Sequence, residues 1–180
     1  MKKTLPRRTV VLGGARSGKS SFAERLVEFF DKPKVYIATA QAFDDEMRAR
    51  IEEHKDARGH DWRLIEAPMK GAAALAQVGP DEAVLFDCAT MWLSNQMLAE
   101  TDVTAARKEL LQAVASCQGQ LVIVSNEVGL SVVPDNALAR RFRDEQGALN
   151  AALAGQADLA VLVVAALPLI LKGTLPEGFA

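Results

Sequence analysis

The chain is poor in the residues that staple small folds or build metal centres: it has two cysteines, Cys88 and Cys117, and two histidines, His54 and His60. The cysteines sit far apart without ligand spacing, which argues against a disulfide framework or a zinc motif and for plain burial in a reducing cytoplasm. Charge of one sign is lacking too. Lys and Arg total 21 against 23 Asp and Glu, a net charge of −2, so nothing draws the whole molecule to nucleic acid or an anionic membrane. No apolar run is long enough to span a bilayer, because the most apolar one, Leu159 to Leu171, is short and carries Pro168. The basic start, Met1 to Arg8, precedes only a few apolar residues and does not have the form of a signal peptide. Repeats, low-complexity tracts and linkers are absent as well. What remains is 180 residues, 49% hydrophobic, expected to form a single domain over 1–180 with 1–8 as a flexible N-terminal extension.

Residues 10 to 20 organise the rest: an apolar strand enters Gly13-Gly14-Ala15-Arg16-Ser17-Gly18-Lys19-Ser20, a match to the phosphate-loop pattern G-x-x-x-x-G-K-[ST]. The glycines let successive N–H groups curl round an anion, and the helix that starts near Lys19 turns its positive end toward it. Lys19 would neutralise β- and γ-phosphates of a nucleotide, and the Ser20 hydroxyl would ligate Mg²⁺. The context agrees, with a buried strand at Thr9 to Leu12 and Phe22, Leu26, Phe29 and Phe30 following at helical spacing.

Strand and helix signals alternate along the chain, which predicts an α/β fold with a mostly parallel sheet covered on both faces. Strands are expected at Lys34–Thr39, Trp62–Ala67, Ala83–Asp87 and Leu121–Ser125, and across Asp158–Leu171, the last broken at Pro168. Helices are expected at Asp44–Arg58, Met69–Val78, Thr90–Ala99, Ala105–Cys117 and about Asn136–Ala154. Ala-Val-Leu-Phe-Asp87 has the form of a strand that delivers a carboxylate to the nucleotide metal; many such Asp residues only end a turn or cap a helix, but pairing with the phosphate loop favours the metal or nucleotide role. Glu127 ends another buried strand and would reach the same sheet edge or cap the loop that follows.

On the Asp44–Arg58 helix, Arg50, His54 and Arg58 recur at i, i+4 and i+8 and stack on one face. Two guanidiniums flanking an imidazole suit a polyphosphate, with the imidazole able to attack phosphorus. A solvated face paired with Glu46, Glu52 and Glu53 is the alternative, and spacing alone favours it. His60, in Arg-Gly-His-Asp-Trp, reads as a loop or turn residue. Asp56-Ala-Arg-Gly59 matches the D-x-x-G of GTP switches but follows a helical pattern, and no Asn-Lys-x-Asp is present for guanine.

The blocks Gly-Gly-Ala-Arg-Ser-Gly-Lys-Ser, Tyr-Ile-Ala-Thr, Asp-Asp-Glu-Met-x-x-Arg-Ile-x-x-His-Lys-x-x-Arg, Trp-Arg-x-x-Glu and Ser-Asn-Glu-Val-Gly-x-x-x-Val-Pro, from Val10 to Lys172, together resemble one family. It is the bifunctional adenosylcobinamide kinase/adenosylcobinamide-phosphate guanylyltransferase family of cobalamin biosynthesis. The resemblance implies a RecA-like P-loop NTPase fold and a homo-oligomer, possibly a trimer. It also implies ATP and GTP as substrates with Mg²⁺, adenosylcobinamide and its phosphate as acceptors, and no nucleic-acid or membrane partner. His54 aligns with the family's covalent guanylyl-accepting histidine, with Lys19 as the other catalytic residue. Gly13 to Ser20 would hold phosphates, Ala38, Thr39 and Ala40 would line the nucleotide pocket, Lys55, Asp56, Ala57 and Arg58 would extend it, and Glu66 and Asp87 would close it. Ser20 and Asp87 would carry the metal. Glu53 stands where some relatives have a second histidine, and Asp87 where some have Glu. A monofunctional P-loop kinase for another small hydroxyl compound is the alternative.

Overall fold

The computed structural model describes residues 5–41 and 61–179. Within them the chain runs β1 (Arg8–Gly13), α1 (Lys19–Phe29), β2 (Lys34–Ala38), β3 (Trp62–Glu66), α2 (Gly71–Leu75), β4 (Ala83–Asp87), α3 (Ala89–Leu98), α4 (Val103–Ser116), β5 (Gln120–Asn126), α5 (Ala137–Gln156), β6 (Leu159–Val164) and β7 (Leu167–Lys172). The expected helix at Asp44–Arg58 lies outside the described residues.

The strands form one seven-stranded sheet in the order β3-β2-β4-β5-β1-β6-β7, parallel except for the last pair. Its central strands are apolar on both sides because each pleat faces a different core. Val10, Leu12, Val84, Phe86, Leu121 and Ile123 join Trp92, Leu93, Leu110 and Leu149 from α3, α4 and α5 on one face. Val11, Leu85, Val122, Val124 and Val161 pack against Phe22, Leu26 and Val27 of α1 on the other. The C-terminal residues lie over α1 on that second face, where the Phe179 ring meets Phe22 and Phe29 edge to face, each at 5.4 Å.

Two expectations change. The break in the last strand region falls at Ala165-Ala166, both at positive φ (50° and 62°), and Pro168 sits inside β7. An antiparallel edge strand tolerates a proline because one side of its backbone needs no partner. The supposed flexible extension also stops short of Arg8, since β1 begins there and the N–H groups of Arg7 and Arg8 both donate to Asp158 Oδ2, at 3.0 and 2.9 Å.

Candidate functional site

β1 delivers the chain to the C-terminal edge of the sheet at Gly13, and the turn that follows has no room for side chains at two points. A Cβ on Gly13 would run into Ser17 Oγ and lie 2.8 Å from Val163 O. Gly18 has φ +90°, and a Cβ there would lie 3.1 Å from Ala166 Cα. Gly14, Ala15 and Arg16 are exposed and Ser17, Gly18, Lys19 and Ser20 are half-buried, so the loop is a lip open to solvent. It is held from behind, where the N–H of Ala166 in the β6–β7 turn donates to Ser17 O at 2.8 Å, and from within, where Lys19 Nζ donates to Gly14 O at 3.1 Å.

The start of α1 is electrostatically bare. Its N-cap, Gly18, supplies no side-chain acceptor, and its first turn carries no acidic residue. The leading N–H groups of a helix lack partners inside the helix, so an uncapped end of this kind presents donors and a positive dipole. Beside it, Ser17 Oγ is buried with no hydrogen-bond partner among the described residues. Bare amides, an orphaned hydroxyl and an ammonium fit a phosphate oxygen set.

β4 brings Asp87 to the same edge, with β5 between it and β1. Leu85 belongs to the core on the α1 side, so by strand alternation Asp87 takes that side too. Tyr36 of β2, also in that core, donates its hydroxyl to Asp87 Oδ2 at 2.8 Å. Cys88 follows, with its thiol pushed up to about 12 by burial and then by the Asp87 charge, against a smaller opposing effect of Lys19. The thiol is therefore neutral, and the charges of Lys19 and Asp87 both reach it. Ser20 and Asp87 are hard oxygen donors of the kind Mg²⁺ takes alongside phosphate and water. Among the described residues no group of three or more His, Cys, Asp or Glu could chelate a metal alone.

The other expected positions divide. Thr39 is fully buried, and its hydroxyl donates to Cys88 O (2.7 Å) and accepts from Cys88 N–H (2.8 Å). Its hydroxyl thus fixes the backbone after Asp87. Asn95 of α3 fastens the tips of two strands, donating to Thr39 O at 2.8 Å and to Pro68 O at 2.9 Å. Ala38 and Ala40 are half-buried. Glu66, exposed at the end of β3, stands four strands from β1, roughly 19 Å along the sheet. That distance separates it from the loop and places it at the far end of any ligand spanning the edge. Glu127 lies beside the loop, since its N–H donates to Gly13 O at 3.0 Å, but its Oε1 accepts from Gly129 N–H at 2.6 Å and closes the following turn. His54, Lys55, Asp56, Ala57 and Arg58 lie outside the described residues, as do Arg50 and His60; the described chain leaves the C-terminal edge at Gln41 and resumes at Asp61.

Tyr36 and Asn95 were not anticipated. Both act through neighbours that become adjacent only once the strand order is known.

Over residues 9–171 the chain matches the family model described as Cobinamide kinase / cobinamide phosphate guanyltransferase. It is 43% identical to the Bifunctional adenosylcobalamin biosynthesis protein CobP of Pseudomonas aeruginosa over 169 residues, covering 92% of this chain and 98% of that protein. It is 41% identical to the Bifunctional adenosylcobalamin biosynthesis protein CobU of Salmonella typhimurium over 180 residues, covering 91% and 98%. Among solved structures, the RadB recombinase superposes with a TM-score of 0.51 at 15% identity, over 88% of this chain and 74% of that one, a likeness of fold.

Proposed function

The chain belongs to the cobinamide kinase / cobinamide phosphate guanyltransferase family, and from that premise we propose that one nucleotide site on the C-terminal edge of the sheet serves both transfers. The protein is a kinase and guanylyltransferase of cobalamin biosynthesis. In the first transfer the γ-phosphoryl of ATP or GTP passes to the aminopropanol hydroxyl of adenosylcobinamide. Loop amides, Lys19 and the N-terminus of α1 hold the phosphates in line, so the work is positioning and charge neutralisation. Ser20 and Asp87 would hold Mg²⁺, which when bound neutralises charge on the β- and γ-oxygens.

In the second transfer His54 attacks the α-phosphorus of GTP, forming a P–N bond as the bond to pyrophosphate breaks. A phosphate oxygen of adenosylcobinamide phosphate then attacks the same phosphorus, giving adenosylcobinamide-GDP and returning His54. An imidazole with a pKa of ~6.5 is largely neutral near pH 7 and needs no strong base to act as nucleophile. No described helix is long and apolar enough to cross a membrane. We place the enzyme in the cytoplasm as a homo-oligomer.

The observation that supports the single site is the uncapped start of α1, with the orphaned Ser17 hydroxyl beside it and the Asp87 carboxylate on the same side of the sheet. Incubation with GTP labelled on its α-phosphate should leave acid-labile, base-stable label on the protein. Adenosylcobinamide phosphate should discharge that label, and His54→Ala should never acquire it. Full labelling of His54→Ala refutes the nucleophile, and a wild-type protein that phosphorylates without taking label is a kinase alone.

A further inference from the structure

Asn126 closes β5, the strand that runs between the phosphate-loop strand and the Asp87 strand. Its Cα is in register with Gly13 of β1, while Val124 is in register with Asp87 of β4. Along β5, Leu121 and Ile123 enter the core under α3, α4 and α5, and Val122 and Val124 enter the core under α1. Alternation therefore sends the Asn126 side chain to the α1 side, the side of Asp87 and of the helix that begins with Lys19 and Ser20. Residue 126 thus sits on the strand between the cradle and the carboxylate, on their side of the sheet.

Its main chain is gripped from two directions. The Asn126 N–H donates to Thr90 Oγ1 of α3 at 2.7 Å, and its C=O accepts from Asn150 Nδ2 of α5 at 3.0 Å. Behind the grip is a buried polar network. Ser125 Oγ donates to Asn150 Oδ1 at 2.7 Å and accepts from Gln146 Nε2 at 2.9 Å, and Gln146 Nε2 also lies 2.8 Å from Asn150 Oδ1. With the Ser125 proton so directed, Thr90 is the donor in its 3.3 Å contact with Ser125. Ser125 and Gln146 are fully buried, and Thr90 and Asn150 are 5% exposed. Polar groups placed this deep are costly unless mutually satisfied; of this network only Gln146 Oε1 is left without a partner among the described residues, and the bonded remainder stiffens what it touches. What it touches here is one peptide at a strand end. The Asn126 carboxamide itself is half-buried and has no hydrogen-bond partner among the described residues.

We propose that Asn126 is a catalytic residue of the phosphoryl transfer, donating from Nδ2 to a non-bridging oxygen of the γ-phosphoryl group, with Thr90 and Asn150 as the positioning residues that aim it. This assignment presupposes the nucleotide site proposed above. During transfer the bond from γ-phosphorus to the bridging oxygen breaks, the bond to the acceptor oxygen forms, and the acceptor's hydroxyl proton leaves to solvent water. Asn126 exchanges no proton and holds the oxygen on which charge is redistributed. A neutral donor suits the position, because a second carboxylate beside Asp87 would repel the group being moved.

The test uses the full-length protein and its Asn126→Ala, Asn126→Asp and Thr90→Val variants. GTP and GDP binding are measured by calorimetry, and phosphorylation of cobinamide by steady-state kinetics. Because the clamp engages only the main chain of residue 126, its side chain can change without breaking the network. Asn126→Ala should bind GTP about tenfold more weakly with GDP affinity unchanged. Its kcat should fall on the order of 100-fold. Asn126→Asp should be worse than Asn126→Ala in both readouts, and Thr90→Val should show the same GTP-selective loss, smaller in size. Equal losses for GTP and GDP, no loss, or an Asp variant that outperforms Ala would each overturn the assignment. A wild-type protein that binds no triphosphate overturns the nucleotide site and this residue together; one that binds it, with an unaltered GTP-to-GDP ratio in the variants, overturns Asn126 alone.

Discussion

Two kinds of helix start stand side by side in this molecule. At the N-termini of α3, α4 and α5 a side chain closes the end: Cys88 Sγ accepts from Met91 N–H, Asp102 Oδ1 from Ala105 N–H, and Asn136 Oδ1 from Ala139 N–H. At α1, the only other described helix of ten or more residues, no side chain does so. The first three ends are complete without a visitor. The fourth withholds its own oxygen and so keeps its donors for one brought by a ligand.

Lys19→Ala is the strongest way to break the contrast, since it strips the ammonium from the bare end and leaves only amides. Triphosphate affinity should fall roughly 100-fold, about 2.7 kcal/mol, by calorimetry. The melting temperature should hardly move, because the half-buried side chain's one described hydrogen bond is to Gly14 O. Gly18→Ala should come next. Positive φ and a contact at 3.1 Å to Ala166 would cost about 1–3 kcal/mol of stability in a denaturant titration. Asn136→Ala and Asp102→Ala sharpen the other side of the contrast. Each should remove about 1 kcal/mol and lower the melting temperature by roughly 2–4 °C, with triphosphate affinity intact. A cap variant that weakened nucleotide binding would show that the closed ends also contribute to the site. The smallest effect is expected at Cys88. With its thiol held up at about 12 by burial and the Asp87 charge, iodoacetamide at pH 8 should label Cys88 only as fast as the protein opens. The sign follows: the folded thiol stays neutral while the unfolded one ionises near 9.0, so this contribution to stability is whole below pH 9 and drains as pH climbs toward 12.

The contrast also explains what could be read in advance. The turn through Gly13, Gly18, Lys19 and Ser20 was legible because a loop between one strand and one helix encodes its shape locally. The place of Asp87 at a strand end was legible because an apolar strand announces its polar end. The side of the sheet that Asn126 takes was not, and the acidic neighbour one position later drew attention to itself. Glu127 has the more reactive side chain, yet pleating sends Asn126 to the α1 side, and Glu127 closes its own turn. Choosing between them requires knowing that β5 lies between β4 and β1, and strand order is a property of long-range pairing that spacing along a chain does not carry. Thr39, which the resemblance places along the nucleotide pocket, has its hydroxyl bonded twice to Cys88, a pairing visible only once the neighbouring strand is known. At the far edge, Pro168 looked like an interruption because proline is excluded from central strands, and β7 is an outermost one.

The turn between β6 and β7 has a mechanical consequence. Ala166 both fills the space over Gly18 and holds the carbonyl of Ser17, so the cradle leans on the outer hairpin as on a buttress. β7 leaves Leu167, Leu169 and Leu171 uncovered along an open margin. The open margin and the phosphate lip are therefore two ends of one hairpin, joined at Ala166.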